Sequence, residues 1–369
     1  MFKLPIKTQF TKYYVNLRGV SFGRRKVLMF ESDDWGAVRM PSGKIYDELT
    51  QACGKKGCYF DQFDSLETPD DLYALFEVLT SVKDANGNYA VFQPYAVVAN
   101  PDYEAIEENG FQQYCYEMFL DTYKRYPKTN DSFKAIKEGM DSGIWWPQSH
   151  SREHIQAQRW MKALQDPNSF ARKEFYLRAF HSDCCPKDLD YYCACDYDSP
   201  NEMPELKRIM KDGLDLFENI YGYHSISFCA PCGFINQDML DYLSELGIKL
   251  GSGTIRYPNF KGGYDVKNHF WGEKGKNGMI YYRRNCKFEP ARDHNVDWVD
   301  RCMAEIEIAF RCGKPAVIDS HRVNYIGGIN ESNRTDTLRQ LARLLKEVVK
   351  RWSDVEFVNS NQLYQIMSK

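Results

Sequence analysis

The stretch KVLMFESDDWG, residues 26–36, decides the fold of this 369-residue chain. Its apolar first half predicts a buried strand, which ends at a loop where Asp33 and Asp34 stand side by side. Because side chains alternate along an extended strand, the two aspartates are expected to face different surroundings. Two close carboxylates also resist ionising together unless a cation or a proton intervenes. One aspartate is therefore a candidate metal ligand and the other a candidate base, although a pair that merely caps a loop would have the same sequence.

The composition excludes nucleic acid as an expected partner. Hydrophobic residues make up 43% of the chain, which is enough for a large core, and the formal net charge is −3. Such a chain has no basic field to attract a phosphate backbone. The aromatic content of 15% suits the faces of sugars, although large cores use the same residues.

The chain shows no signal for export or for membrane insertion. Residues 1–9 lack the apolar core and the cleavage site of a secretory signal, and no later stretch approaches the roughly 18 apolar residues of a membrane span. We therefore expect a cytoplasmic protein whose 12 cysteines are reduced. The densest cysteine cluster could bind a structural zinc ion, although it lacks paired C-x-x-C spacing; its members are Cys184, Cys185, Cys193 and Cys195. The sequence does not predict the oligomeric state.

Short apolar runs alternate with helical patterns along most of the chain, which predicts βα units around a parallel sheet or barrel. After the first strand, the predicted strands are 89–92 with 95–98, 143–146, 226–229, 248–250, 279–282, 316–318 and 355–358. The predicted helices are 68–82, 132–140, 203–220, 236–246, 297–311 and 336–352. Seven or eight such units predict one α/β barrel domain over residues 1–369, closed or distorted, with a core of about 26–365. Residues 39–66, 101–130 and 181–200 are expected to be elaborated loops at the rim of the site.

Two histidines, His150 and His154, follow the predicted strand 143–146. On one helical turn this spacing would put both imidazoles on the same face, about 5–6 Å apart at Cβ. With one aspartate they would make a three-ligand site with an open position, which is how catalytic zinc is held. An exposed polar helix start would have the same pattern. Ser151 stands where zinc proteases carry their catalytic glutamate, so that protease motif is excluded.

Two further elements stand at predicted strand ends. His321 follows the strand 316–318, in a position suited to a general acid, although an ordinary loop histidine would have the same sequence. The turn Pro231-Cys232-Gly233 follows the strand 226–229. Its backbone N–H groups could stabilise an oxyanion, or the turn could have no chemical role.

The order of these four elements resembles that of the polysaccharide deacetylases of carbohydrate esterase family four, over about residues 26–365. Members of that family have a distorted (β/α)7 barrel and remove acetyl groups from N-acetylated sugars. The resemblance implies that Asp33 is the catalytic base and that His321 is the acid that protonates the leaving amine. It also implies a divalent metal, Zn²⁺ or alternatively Co²⁺ or Ni²⁺, since imidazole and carboxylate accept several ions. The implied ligands are Asp34, His150 and His154.

The resemblance extends to the residues around the substrate, but with departures from the family's pattern. It assigns Pro231, Cys232 and Trp35 to the oxyanion or the substrate, with the Cys232 N–H as the oxyanion donor. Cys229 replaces the arginine that orients the base, and Cys232 replaces a tyrosine. Asp319 replaces the leucine that lines the acetyl pocket.

The expected function is therefore that of a metal-dependent hydrolase that removes acetyl groups from an N-acetylated sugar or glycan, with an altered substrate pocket. Two alternatives stay open. The chain could hydrolyse another amide or an O-acetyl ester with the same metal, or it could be a glycan-binding barrel that has lost turnover. The sequence does not identify the sugar.

Overall fold

The computed structural model describes residues 4–183 and 191–369. Its helices are α1 (Ile6–Leu17), α2 (Gly43–Cys53), α3 (Tyr59–Phe63), α4 (Pro69–Thr80), α5 (Tyr103–Glu108), α6 (Phe119–Arg125), α7 (Ser132–Asp141), α8 (Ala157–Leu164), α9 (Phe170–Leu177), α10 (Met203–Tyr221), α11 (Gln237–Glu245), α12 (Trp298–Arg311), α13 (Glu331–Arg351) and α14 (Ser360–Met367). Its strands are β1 (Lys26–Trp35), β2 (Phe92–Ala96), β3 (Ala99–Pro101), β4 (Tyr116–Met118), β5 (Gln148–Ser149), β6 (Leu250–Ser252), β7 (Thr254–Pro258), β8 (Tyr264–Asn268), β9 (Ile280–Tyr282), β10 (Cys286–Lys287), β11 (Ala316–His321) and β12 (Val355–Phe357).

The central sheet is parallel and is built around β1. Its strand order is β10-β11-β1-β2-β5, and β12 pairs with the first residues of β1. Beyond β5 the parallel pairing continues through single bridges, from Ser149 to Phe228 and from Ser227 to Leu250 in β6. β6 then pairs with β9, and three residues after β9 the chain enters β10 and returns to the central sheet. The predicted α/β fold class with a parallel central sheet is confirmed, and the succession of pairings is consistent with the predicted distorted barrel.

The core lies beneath the carboxyl end of β1 and is rich in aromatic rings. Phe30 stacks on Phe92 with 5.0 Å between ring centroids, and Phe92 stacks on Trp145 at 5.4 Å. Trp35 meets Trp145 edge-on at 4.7 Å. Much of the high aromatic content thus serves packing.

Most of the predicted helices are confirmed to within two residues at each end, but α13 begins five residues before the predicted start at 336. Its first turn is polar, and the Asn330 side chain caps it by accepting a hydrogen bond from the Ser332 N–H. The prediction missed the antiparallel hairpin of β7 and β8, because this exposed pair lacks a continuous apolar run. It also missed several short helices, among them α1, α2, α8 and α9.

The predicted cysteine zinc site is only partly covered by the structure. Cys184 and Cys185 lie outside the described residues, whereas Cys193 and Cys195 are buried. Among the described residues, the group that could hold a metal ion contains neither of them. None of the helices in the described part of the chain is both long enough and apolar enough to cross a bilayer.

Candidate active site

Asp33 and Asp34 both line one cavity of about 380 Å³ at the carboxyl end of β1. Asp34 has a φ of 76°, and the register between β1 and β2 shifts between Ser32 and Trp35. A left-handed residue in such an irregularity breaks the alternation of side chains. The two aspartates were predicted to face different surroundings. This is wrong, because both line the same cavity, although each has different hydrogen-bond partners.

The first set of partners is a pair of histidines around Asp34. Asp34 Oδ1 lies 3.0 Å from His154 Nε2 and 3.4 Å from His150 Nε2. One candidate ligand atom from each residue lies within 4.8 Å of the other two, and all three side chains are buried. Burial would raise the pKa of Asp34, but its close polar contacts with the two histidines hold it well below its usual range.

The two histidines converge through a loop and not through a helix. His150 directly follows β5, and its N–H donates to Ala96 O at 2.9 Å. Ser151 then adopts a left-handed conformation with a φ of 73°, and α8 begins only at Ala157. The expected proximity of the imidazoles is confirmed, with 5.0 Å between ring centroids, but the helical turn that was expected to produce it is wrong.

The donor set fits a divalent cation. His150 Nδ1 lies 2.8 Å from the carbonyl oxygen of Cys229, which can only accept, so the proton of the ring is on Nδ1. The other nitrogen, Nε2, is buried, has no hydrogen bond of good geometry among the described residues, and lies 3.4 Å from Asp34 Oδ1, where a cation could bind both atoms. A ligating histidine is characteristically oriented by such a bond from its second nitrogen to a backbone carbonyl.

Asp33 is held by an arginine that the sequence analysis did not identify. Arg284, between β9 and β10, donates to both carboxylate oxygens of Asp33, at 2.6 and 2.7 Å. Its Nε donates to Glu31 Oε2 at 2.6 Å. Burial would raise the pKa of Asp33, but the charge and hydrogen bonds of Arg284 outweigh it and lower the pKa. The Cys229 thiol lies 3.4 Å from the same carboxylate. Position 229 is where the resemblance implied an arginine that orients the base. In this chain Arg284, which follows a different strand, contacts Asp33 instead.

His321 lies beside Asp33 on the cavity wall, with 3.9 Å between Nε2 and Asp33 Oδ2. Its other nitrogen, Nδ1, is bonded to Glu289 Oε1 at 2.5 Å, and Asn324 Nδ2 donates to the second oxygen of Glu289 at 2.7 Å. Burial would lower the pKa of His321, but chiefly the charge and hydrogen bond of Glu289 raise it to about 10. His321 is thus an imidazolium at neutral pH. Glu289 was missed because nothing in its local sequence marks it.

The turn after Phe228 brings Cys232 to the cavity. Pro231 is buried, and Gly233 N donates to Ala230 O at 2.8 Å. Cys232 has φ 57° and ψ 9°, the conformation of the third residue of a type II turn, and it is exposed on the cavity wall. A residue with a side chain is strained there, and such strain is typical of functional sites.

Two other predicted residues have different surroundings from those expected. Trp35 does not line the cavity: it is 2% exposed in the core, and its Nε1 donates to Ser32 Oγ at 3.0 Å. The assignment of Trp35 to substrate binding is therefore wrong, because its ring is enclosed by the aromatic core. Asp319 does line the cavity, where the charge of Lys287, 3.2 Å away, and that of Arg284 overcome burial and lower its pKa to about 2.

A scan of family models finds no match for this chain, and a search of curated proteins finds none either. Similar solved structures include a protein from Pseudomonas aeruginosa described as a polysaccharide deacetylase, with 10% identity, 95% of this chain and 94% of that chain covered, and a TM-score of 0.46. A protein from Mycobacterium smegmatis with the same description has 14% identity, coverages of 92% and 90%, and a TM-score of 0.41. The Puue allantoinase has 10% identity, coverages of 95% and 93%, and a TM-score of 0.44. Likeness at this level carries no argument about a reaction or a substrate.

Proposed function

We propose that this chain is a metal-dependent hydrolase that removes acetyl groups from N-acetylated sugars or a glycan. One observation carries the proposal. A carboxylate held by Arg284 and an imidazolium held by Glu289 lie side by side on the wall of one cavity, 3.9 Å apart, next to a buried Asp-His-His group. An ionised base, a protonated acid and a cation site at one point are the groups with which a metal-dependent hydrolase can cleave an amide.

Asp34, His150 and His154 are the proposed ligands of the divalent cation, Zn²⁺ or alternatively Co²⁺ or Ni²⁺. Such a cation supplies Lewis acidity, which polarises the acetyl carbonyl and makes water more acidic. The backbone N–H of Cys232, on the cavity wall, is the proposed additional donor to the oxyanion.

Asp33 is the proposed general base, which takes a proton from water as the water oxygen attacks the acetyl carbon. Arg284 keeps this carboxylate ionised and fixes its orientation through two hydrogen bonds. The same arginine lowers the basicity of Asp33, which a cation held by Asp34, His150 and His154 would offset by making water more acidic.

His321 is the proposed general acid. As the C–N bond breaks, its Nε2 proton passes to the leaving nitrogen, so the products are acetate and the free sugar amine. Glu289 keeps this proton available at neutral pH, because it raises the pKa of the imidazole. His321 then regains a proton before the next turnover.

An open groove next to the catalytic cavity supports a sugar as the substrate. It has a volume of about 700 Å³, and Phe60 and His321 line both it and the catalytic cavity. Tyr59, Phe60 and Phe63 present aromatic rings along the groove. Aromatic rings suit the apolar faces of sugars. Since His321 is the proposed acid for the leaving amine, the groove lies on the side where the sugar would extend.

The test is to measure acetate release and glycan binding separately. Wild-type protein loaded with Zn²⁺, Co²⁺ or Ni²⁺ is assayed on N-acetylglucosamine oligomers and on O-acetylated counterparts. In Asp33→Asn we expect acetate release to fall by about 10²- to 10⁴-fold while oligomer binding and metal content are kept. Asp121→Asn, an exposed aspartate paired with Lys124, is the matched control.

Two results would contradict the proposal. Unchanged release in Asp33→Asn would show that Asp33 is not the base. Wild-type protein that binds the oligomers but releases no acetate with any of the three metals would indicate a glycan-binding barrel instead.

A further inference from the structure

Helix α1 carries an apolar strip that points away from the fold. The strip consists of Ile6, Phe10, Tyr14 and Leu17, which are 76%, 75%, 53% and 70% exposed. On an α-helix these four positions fall within an arc of about 80°. Tyr14 contacts Phe270 edge-on at 6.3 Å, and the rest of the strip is open. A strip of this size on an otherwise ordinary surface indicates a binding face.

The opposite side of α1 attaches the helix to the fold. Lys12 forms an ion pair with Glu305 of α12 at 3.0 Å and donates to Asn285 O at 2.7 Å. Asn16 is fully buried and accepts from Asn285 Nδ2 at 2.7 Å. The orientation of α1 is therefore fixed by these buried polar contacts, and the apolar strip remains exposed as a consequence.

The charged side chains of the segment that carries the strip all have one sign. Residues 1–30 contain seven lysines and arginines and no aspartate or glutamate, in a chain whose net charge is −3. Three of the seven are neutralised by the ion pairs Lys12–Glu305, Arg25–Glu356 and Lys26–Asp354. Lys7 and Arg18 lie along one edge of the strip, and the Arg18 guanidinium lies 4.4 Å from the centre of the Tyr14 ring. The strip is thus bordered by cations.

We propose that α1 docks the protein reversibly on an anionic lipid surface, with the apolar strip in the interface and the cations against the headgroups. A short helix with an apolar face and a basic border is the pattern of an interfacial membrane helix. Each Lys or Arg near such a surface contributes through its attraction to anionic lipids. This docking is independent of the proposed deacetylation.

A second copy of this chain is a poorer occupant of the strip. Pairing two copies of α1 about a two-fold axis would bring Lys7 and Arg18 of both chains together with no carboxylate from residues 1–30 to pair them. Four side chains also fall short of the roughly 800 Å² per partner that a stable interface buries.

The test is co-sedimentation of the full chain with lipid vesicles. We expect at least about tenfold more partitioning to vesicles of phosphatidylcholine with phosphatidylglycerol than to phosphatidylcholine alone, and a loss of this excess at about 1 M salt. Phe10→Ser with Leu17→Ser should reduce partitioning to the mixed vesicles by at least about tenfold. Lys7→Ser should reduce it by about fivefold. Phe260→Ser, which removes another exposed aromatic ring, 55% exposed and far along the chain, should leave it unchanged.

Several outcomes would overturn the proposal. Wild-type protein that does not bind the mixed vesicles, or a Phe10→Ser/Leu17→Ser variant that binds as well as wild type while Phe260→Ser does not, would exclude α1 as the docking face. Sedimentation equilibrium that shows a wild-type dimer, made monomeric by Phe10→Ser with Leu17→Ser, would assign the strip to a second copy. Acetate release from soluble oligomers should be the same in all these variants, so failure of docking and failure of the proposed reaction are distinguishable.

Discussion

Replacement of Glu289 by glutamine tests whether His321 is kept protonated for its proposed role. In the wild type, burial lowers and Glu289 raises the pKa of His321, with a result of about 10. Raising the pKa from the usual 6.5 to about 10 corresponds to about 5 kcal/mol of preference for the charged ring. Glutamine keeps the shape of Glu289 but removes its charge. Because burial is then opposed only by the charges of Asp34 and Asp33, we expect the pKa of His321 to fall well below about 10.

The same substitution should change the pH dependence of stability. A histidine whose pKa is raised by folding stabilises the folded state fully below its unfolded pKa of about 6.5, and this stabilisation is lost as the pH rises through about 10. Glu289→Gln should therefore lower the free energy of unfolding most at pH 6, by about 3–5 kcal/mol for a broken buried pair. The difference from wild type should shrink towards pH 10.

Three measurements check this prediction: the NMR titration of the His321 ring, urea unfolding across the pH range, and the pH profile of acetate release. The alkaline limb of that profile should move to lower pH in Glu289→Gln. Chelated and metal-loaded protein are compared, because Asp34 and Asp33 also raise the pKa of His321 and a bound cation would offset them. Glu218→Gln is the control, since Glu218 pairs with the partly exposed His224 at 3.0 Å, away from the cavity. A His321 pKa within about one unit of wild type in Glu289→Gln would refute the reasoning.

Three further substitutions test other parts of the site. His154→Ala should weaken Zn²⁺ binding by at least about 100-fold in chelator competition, because losing a metal ligand costs more affinity than losing a residue that only orients a ligand. Equal affinity in wild type and variant would show that His154 is not a metal ligand. Arg284→Ala should lower the free energy of unfolding, measured in urea, by about 3–5 kcal/mol, because it leaves the carboxylates of Glu31 and Asp33 buried without their partner. Arg283→Ala is the control and should have a smaller effect, because the Nη1 atom of Arg283 donates only to uncharged oxygens. Trp35→Ala should lower the free energy of unfolding by about 3–5 kcal/mol and leave the Zn²⁺ affinity unchanged. Weaker metal binding without a loss of stability would show that Trp35 belongs to the site.

The sequence was sufficient to place a candidate site residue where that residue stands at the end of its own apolar strand. Asp33 and His321 are register partners on β1 and β11, and both strands are marked by local apolar runs. The carboxyl ends of parallel strands meet at one edge, so local patterns could bring these residues together in a prediction. The proximity of His150 and His154 was also predicted, but through a helix, because spacing alone does not reveal the left-handed Ser151.

Residues that act through distant partners could not be predicted in this way. Arg284 is 251 positions from Asp33 and stands beside a second arginine, and nothing local distinguishes the two. Arg283 is bonded to Gly253 O and His269 O, whereas Arg284 meets three carboxylates. The path of the chain from β9 to β10 determines whether Arg283 or Arg284 contacts the carboxylates. That path depends on the tertiary structure and cannot be inferred from the local sequence.

Arg284 is held in position by Glu31 and Asp319 as well as by Asp33. Replacing Asp33 is therefore not expected to displace the arginine. Glu31 is fully buried, and it accepts hydrogen bonds from Tyr95 at 3.0 Å and from Tyr282 at 2.7 Å as well as from Arg284 Nε. The hydrogen bond between Arg284 and the buried Glu31 does not involve Asp33, so we expect it to persist when Asp33 is replaced. In Asp33→Asn the guanidinium would therefore stay in place, still bonded to Glu31 and Asp319. A loss of acetate release in that variant would then report on the missing base and not on a displaced arginine.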